Sequence, residues 1–180
     1  MSKLDRLVAE FEAVAARPWS TTLAGPQRVW MVVYDEADER RLRVRLDEFG
    51  HAAQSAGHPI RWCDLTGAFA EWMAAHDMRD EYFEYPEDLL VDKGPLKGFL
   101  AFAADRVRRV LAETGDDELV GITGVGAAFG LVRVSEIVEA VHEDIRGRLV
   151  VFFPGTRSGN TYRLLDARDG WNYLALPIPA

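Results

Sequence analysis

The chain has 180 residues, of which 48% are hydrophobic, and this length and composition predict one domain, residues 1–180, with a buried core. Its formal charge of -8 disfavours strong direct binding of nucleic acid, which requires a surplus of lysine and arginine. No segment approaches the roughly 20 apolar residues that cross a bilayer, and the charged N-terminus does not resemble a secretory signal. We therefore expect a cytoplasmic protein with no membrane partner.

The first third of the chain predicts a helix, a strand and a second helix. Apolar residues recur at helical spacing from Leu4 until Pro18, with Ser2 as the N-cap. Residues 29–34 form an unbroken apolar run, which is typical of a strand buried on both faces of a parallel sheet. Residues 37–55 place Leu42 and Phe49 on one stripe, and this predicts a single helix packed on that sheet.

The next segment predicts a strand, a helix and an acidic insert. Residues 60–65 favour a strand in which Cys63 is a small buried hydrophobe, and Thr66 is in position to cap a helix that runs past Trp72. Residues 77–92 then hold seven acidic side chains interleaved with Tyr82, Phe83 and Tyr85. We interpret an acidic aromatic insert near residues 77–94 as a partly ordered cover or docking surface, with a solvated face as the alternative.

The remaining chain continues to alternate helix and strand. Helices are predicted at residues 95–113 and 134–145, strands at 119–123 and 148–153, and short edge strands at 162–165 and 173–176. This alternation predicts an α/β fold, a three-layer α/β/α sandwich with a mainly parallel central sheet. The topology is expected to be Rossmann-like or P-loop-like, but the chain has no Walker A motif.

A glycine-rich loop follows the strand at residues 119–123. Gly124, Gly126 and Gly130 only partly match a dinucleotide-binding fingerprint, because the third glycine is one residue late and the following strand lacks an acidic ribose partner. A tight structural turn is the favoured interpretation. Arg133 either binds an anion, which makes Gly124, Gly126 and Arg133 a candidate anion-binding loop, or pairs with Glu136.

Catalytic chemistry has weak support in the sequence. Asp35, Glu36 and Asp64 all follow strands and are candidates to converge on a magnesium ion, but helix capping is the favoured interpretation of these residues. The four histidines show no metal-ligand spacing with one another or with Cys63, and Ser158 does not lie midway between two glycines. We therefore predict no catalytic residue, no metal and no cofactor.

The C-terminal half resembles BrxB, a small component of bacteriophage exclusion (BREX) systems, in the segments LVGITGVGAAFGLVR, LVVFFPGTRSGNTYRLL and WNYLALPI. The most specific part is Phe152-Phe153-Pro154-Gly155, with Gly159 and Leu164 following at matching intervals. The N-terminal segments RVWMVVYDEADE and IRWCDLTGAF also resemble the family. The resemblance therefore covers most of the chain.

The resemblance implies a non-catalytic role in an assembly with PglZ, an alkaline-phosphatase-like protein, and with a large ATPase and a DNA methyltransferase. We accordingly expect an adaptor that binds a PglZ-like protein and other BREX components, and self-association is left open. The candidate contact residues are Tyr82, Phe83, Tyr85, Pro154, Gly155, Thr156, Arg157 and Gly159.

Two other functions remain as alternatives at this point. One is a nucleotide- or phosphate-dependent enzyme that binds an anion at the Gly124–Gly130 loop and a metal at Asp35 or Asp64. The other is a DNA-contacting accessory that uses Arg157, Arg163 and Arg168, and the net charge makes it the weaker of the two.

Overall fold

The computed structural model describes residues 2–91, 94–164, 167–168 and 175–179, with the backbone alone at residues 167–168. In this part of the chain the α-helices are α1 (Lys3–Ala15), α2 (Glu39–Val44), α3 (Leu46–Ser55), α4 (Ala68–Ala74), α5 (Arg79–Glu84), α6 (Pro86–Leu90), α7 (Gly94–Ala112) and α8 (Val134–Val141). The strands are β1 (Val29–Tyr34), β2 (Ile60–Asp64), β3 (Leu119–Thr123), β4 (Arg148–Pro154), β5 (Thr156–Ser158), β6 (Thr161–Leu164), β7 (Ala167–Arg168) and β8 (Leu176–Ile178).

Five of these strands form the central sheet in the order β2-β3-β4-β1-β8, and every described pair in it is parallel. A second, antiparallel sheet of β5, β6 and β7 follows β4. Helices cover both faces of the central sheet, so the predicted α/β class with a mainly parallel sheet is confirmed. No helix in the described ranges is both long enough and apolar enough to cross a membrane.

The first face of the sheet is covered by α1 and α3. Phe49 of α3 is fully buried and meets Phe11 and Phe152 edge to face, with ring centroids 5.4 and 5.0 Å apart. Trp30 of β1 also packs edge-on against Phe11. This aromatic cluster fixes both helices on the sheet, since such ring pairs add to the free energy gained from apolar burial.

The second face is covered by α4, α7 and α8. Side chains along β4 alternate between the faces: Val150 and Phe152 belong to the first cluster, whereas Leu149, Val151 and Phe153 belong to the second. Because both faces of β4 are buried, the strand has no polar face. Its continuous apolar sequence predicts this arrangement.

Several local predictions are confirmed. The bounds of β1 and β3 match the predicted strands, and α1 begins with a capping box in which Asp5 N–H donates to Ser2 Oγ at 3.1 Å and Ser2 N–H donates to Asp5 Oδ2 at 2.6 Å. Cys63 is buried, and desolvation raises the pKa of its thiol to about 11. The thiol is therefore protonated and unreactive near neutral pH.

The prediction of one helix over residues 37–55 is wrong. A 3-10 turn at Glu36–Asp38 precedes α2, and Arg45 separates α2 from α3 with φ -107° and ψ 10°. The guanidinium of Arg45 binds Asp5 at 2.7 Å and Glu48 at 2.6 Å. The break thus coincides with an ion pair that links α3 to α1.

Two smaller predictions also need correction, and a third is only partly tested. Thr66 does not cap α4, because the residue before this helix is Gly67 and the Thr66 hydroxyl binds Asp64 instead. The predicted edge strand at 162–165 is β6, which belongs to the small antiparallel sheet. The predicted strand at 173–176 lies partly outside the described residues, and the edge strand β8 begins at Leu176.

Candidate protein-interaction surfaces

The carboxyl ends of the strands are the expected place for a ligand in this architecture. The chain after β1 enters α2 on the first face, whereas the chain after β3 leads to α8 on the second face. A crevice lined by Tyr34, Asp35 and Gly155 lies at the ends of β1 and β4, and open α/β sheets bind ligands beyond the carboxyl ends of their strands.

Polar side chains at these strand ends are joined in one chain of hydrogen bonds. The Tyr34 hydroxyl donates to Glu39, whose other oxygen accepts from Arg43 at 2.7 Å. Arg43 also donates to the Thr66 hydroxyl, which in turn donates to Asp64 at 2.6 Å. Burial, and next the hydrogen bond to Glu39, raise the pKa of Tyr34 far above its ordinary value. This network links β1 to β2 through α2, so its groups already have partners within the protein.

Asp64 remains ionised within this network. Partial burial opposes ionisation, but hydrogen bonds from the side chain and backbone of Thr66 outweigh it and keep the pKa of Asp64 below its ordinary value. The Thr123 hydroxyl adds a longer contact of 3.4 Å. The carboxylate is thus used to hold the ends of β2 and β3 together.

The structure does not bring Asp35 and Asp64 together, contrary to the idea of a shared magnesium site. Two strands, β3 and β4, separate β1 from β2, which corresponds to about 14 Å at the usual strand spacing. Asp35 accepts a hydrogen bond from Ala37 N–H at 3.0 Å and caps the 3-10 turn, so the prediction that Asp35 is a helix cap is confirmed. Among the described residues no three His, Cys, Asp or Glu side chains are grouped to hold a metal.

The glycine loop after β3 packs closely against the loop after β2. Gly124 has φ +73°, and a Cβ at this position would overlap the Thr66 hydroxyl and lie 2.6 Å from Asp64 Oδ1. A Cβ at Gly126 would lie 3.4 Å from Pro154. Close packing and the positive φ account for Gly124 without a ligand, whereas the contact of Gly126 with Pro154 leaves room for a side chain at an ordinary distance.

Arg133 does not form the ion pair with Glu136 that was one of its two predicted roles. Its backbone N–H donates to Glu136 Oε2 at 2.8 Å, at the start of α8, and no described ion pair includes its guanidinium. Anion binding by Arg133 therefore remains a prediction.

The segment after β4 forms an exposed hairpin. Gly155 has φ +150°, its N–H donates to the Tyr34 carbonyl at 2.7 Å, and a Cβ there would overlap the carbonyl oxygen of Arg163. Thr156 and Arg157 lie on the exposed strand β5, and Gly159 with φ +59° forms the turn to β6. The hairpin therefore presents polar side chains beside the crevice, while Pro154 itself is buried.

A second surface is formed by α5 and α6. We call the exposed side chains of residues 77–91 the acidic aromatic surface, which has six acidic groups and one arginine. It also holds five of the seven large hydrophobic side chains that are exposed in the described residues, with exposed fractions of 71% for Phe83, 56% for Val91, 54% for Leu90, 48% for Tyr85 and 43% for Met78. An exposed apolar patch with a polar rim is typical of a protein-interaction site.

The two short helices that carry this surface are anchored by packing on the core. Leu89 is only 8% exposed and belongs to the core on the second face, where Tyr82 packs against the same cluster. The centres of the Tyr82 and His76 rings also lie 5.3 Å apart. Tyr82 is therefore a supporting residue, whereas Phe83 and Tyr85 project outward.

Sequence reasoning missed Met78, Leu90 and Val91 as surface residues. The alternation of buried Leu89 with exposed Leu90 and Val91 depends on how α6 lies on α7, and aliphatic residues near a helix ordinarily predict core. Their position inside a strongly acidic segment is the feature that indicates exposure.

The chain matches a known protein family. A family model described as BREX protein BrxB matches residues 73–177, which include the acidic aromatic surface, the glycine loop after β3 and the hairpin. No curated protein matches the chain. No solved structure matches it either.

Proposed function

Because the chain belongs to the BrxB family and is thus a component of a BREX phage-defence system, we propose that it is a non-catalytic adaptor that binds a PglZ-like partner. The acidic aromatic surface is the proposed contact region, and Arg157 and Gly159 of the β5–β6 hairpin are proposed to contribute a further contact. Other BREX components are proposed to join through the same adaptor.

The observation that carries this proposal is the exposure of Phe83 on α5, of Leu90 on α6 and of Val91 directly after α6. Leaving three large apolar side chains in water has no benefit for the folded chain alone, since burying each one contributes about 1.5–3 kcal/mol. A partner that covers them gains this free energy, and aromatic side chains are frequent among the residues that dominate binding.

The acidic rim indicates the chemistry of the partner surface. Asp80, Glu81, Glu84, Glu87 and Asp88 are exposed in the same segment as the apolar side chains, and in the described residues only Asp80 has an ion pair, with the neighbouring Arg79 at 3.1 Å. We infer that the partner offers an apolar groove with lysine or arginine at its margin. Such complementarity accelerates association and excludes acidic surfaces.

Co-purification tests the proposal. The tagged chain is expressed with the PglZ-like protein of its own BREX system, and retention is measured at moderate salt for the wild type and for Phe83→Ser combined with Leu90→Ser. We expect the double variant to lose most of the partner, because it removes the central apolar contacts.

A matched control comes from Val44, which is 83% exposed but lies on α2, away from the acidic aromatic surface. Val44→Ser should retain the partner as the wild type does. The proposal is wrong if the wild type retains no PglZ-like protein while both proteins are folded. The assignment of the surface is wrong if the double variant and Val44→Ser behave alike.

A further inference from the structure

A groove runs along the sheet edge between α1 and β8. It consists of three adjoining cavities of about 420, 290 and 360 Å³. The first two share Glu10 and Pro179 in their walls, and the last two share Val14, Arg17 and Leu176 among others. At 1.5 Å per residue the 13-residue α1 is about 20 Å long, which is enough for roughly six residues of extended chain.

The central part of this groove is apolar. Leu176 and Pro177 of β8 and Val14 of α1 line it, all only partly buried. Pro177 is the middle residue of this three-residue edge strand and has no N–H to donate, which disfavours pairing with an additional strand. A ligand here is therefore held by side-chain contacts instead of a β-ladder.

One end of the groove is cationic. Arg17 is exposed there, and Arg148 is 5% exposed with its guanidinium carbon 4.7 Å from the centre of the Trp19 ring. Arg148 donates to the carbonyl oxygens of Gly147 at 2.9 Å and Ser20 at 3.1 Å, and no described carboxylate pairs with it or lines this end. Its charge is thus poorly neutralised, in an environment where a buried charge acts strongly on its neighbours.

The opposite end of the groove is mainly acidic. Four carboxylates line it, those of Glu10, Asp35, Glu36 and Asp38, against the two cations of Lys3 and Arg6. Lys3 is 3.7 Å from Asp35, and Asp38 pairs with Arg41, whereas Glu10 and Glu36 take part in no ion pair among the described residues. The groove therefore has an apolar centre and opposite charges at its ends.

We infer that this groove binds an extended peptide segment of a second protein, with a carboxylate at the Arg17–Arg148 end and a lysine or arginine near Glu36. Its length, its apolar centre and its two charged ends are complementary to such a segment. The peptide would bind through side-chain contacts in a groove that is already formed in the free protein.

This site is distinct from the acidic aromatic surface, and it meets the segment after β4 only at Gly155 and Thr156, which line its acidic end. Helix α1 packs on the first face of the sheet, whereas Leu89 below the acidic aromatic surface packs on the second face. The inference extends the proposed adaptor function, because two separate surfaces allow one chain to hold two proteins at once. It does not depend on the identity of the partner at the first surface.

A peptide-display selection tests the inference. A library of random heptapeptides is selected on the immobilised wild-type chain, and the enriched peptides are synthesised and titrated against the wild type and Arg17→Glu. We expect enriched peptides with an acidic residue at one end and an apolar centre, and about tenfold weaker binding to Arg17→Glu, since reversing one charge at the groove end changes attraction to repulsion.

Arg109→Glu is the matched control, because Arg109 is an exposed arginine of α7 outside the groove and the change of net charge is the same. It should bind the peptides as the wild type does, and all three proteins should unfold at the same temperature. The inference is overturned if no peptide is enriched, if the enriched peptides lack an acidic end, or if they bind Arg17→Glu as tightly as Arg109→Glu. Retention of the PglZ-like protein by Arg17→Glu is expected to be unchanged, so this result is separable from a failure of the proposed function.

Discussion

At the scale of single residues, glycine is favoured at two positions of the C-terminal hairpin for different physical reasons. Gly155 is required both by space, because the carbonyl oxygen of Arg163 occupies the position of a Cβ, and by its φ of +150°. Gly159 has φ +59° but no heavy atom within 4 Å of its Cβ position, so only its backbone conformation favours glycine. Gly159 therefore shows the conformational requirement alone, whereas Gly155 combines it with a steric one.

Replacing Gly155 with alanine is expected to destabilise the fold by about 3 kcal/mol, because the added methyl group must displace the backbone of β6. Gly159→Ala should cost about 1 kcal/mol, the typical penalty for a left-handed alanine. Urea unfolding of the two variants and the wild type measures the difference. Equal losses of stability in both variants would show that the contact with Arg163 has no energetic role.

The sequence failed to predict features that depend on contacts between distant parts of the chain. The apolar runs of β1 and β4 are enough to identify them as buried strands, so the bounds of both were predicted closely. The break at Arg45 depends on Asp5, 40 positions earlier, and no local pattern contains that contact. Likewise, the order of the strands decides that Asp35 lies far from Asp64, and this order follows from packing of the whole sheet.

At the scale of elements, the acidic aromatic surface depends on two helices that are too short to be stable alone. Helix α5 has six residues and α6 has five, whereas isolated helices need about 12–15 residues in water. Their order therefore comes from tertiary packing, chiefly of buried Leu89 and partly buried Tyr82 on the second face. The acidic residues around them were visible in the sequence, but which side chains point outward was not.

Leu89→Ala should loosen α5 and α6 while the central sheet stays folded. The change removes the buried contact of α6, and we expect faster amide hydrogen exchange across residues 79–90 with little change in β4. Leu90→Ala is the control, since Leu90 is 54% exposed and does not support the helix. If exchange rises equally in β4, Leu89 stabilises the whole fold and not this surface alone.

At the scale of the whole molecule, the sheet separates the two interaction surfaces. Fully buried clusters on both faces, with Phe49 and Phe152 on one and Phe99 and Phe153 on the other, keep the intervening layer rigid. A partner at the acidic aromatic surface and a peptide beside α1 would thus be held at a fixed separation. This rigidity suits an adaptor, which positions proteins without changing shape itself.

The charge distribution of the whole molecule predicts how binding responds to salt. The net charge of -8 and the six acidic groups of the acidic aromatic surface attract a basic partner over a distance that salt shortens, from about 10 Å at 0.1 M to about 3 Å at 1 M. Association with the PglZ-like protein should therefore become slower as salt rises, while dissociation of the apolar contacts changes less.

Neutralising three of these groups, in a variant with Glu84→Gln, Glu87→Gln and Asp88→Asn, should flatten this dependence. The same number of changes at Glu113, Asp116 and Asp117, which are exposed near the start of β3, provides a control with equal net charge. Surface-plasmon-resonance rates over a salt series distinguish the two. A control variant with the same reduced salt dependence would show that total charge, and not the acidic aromatic surface, governs the encounter.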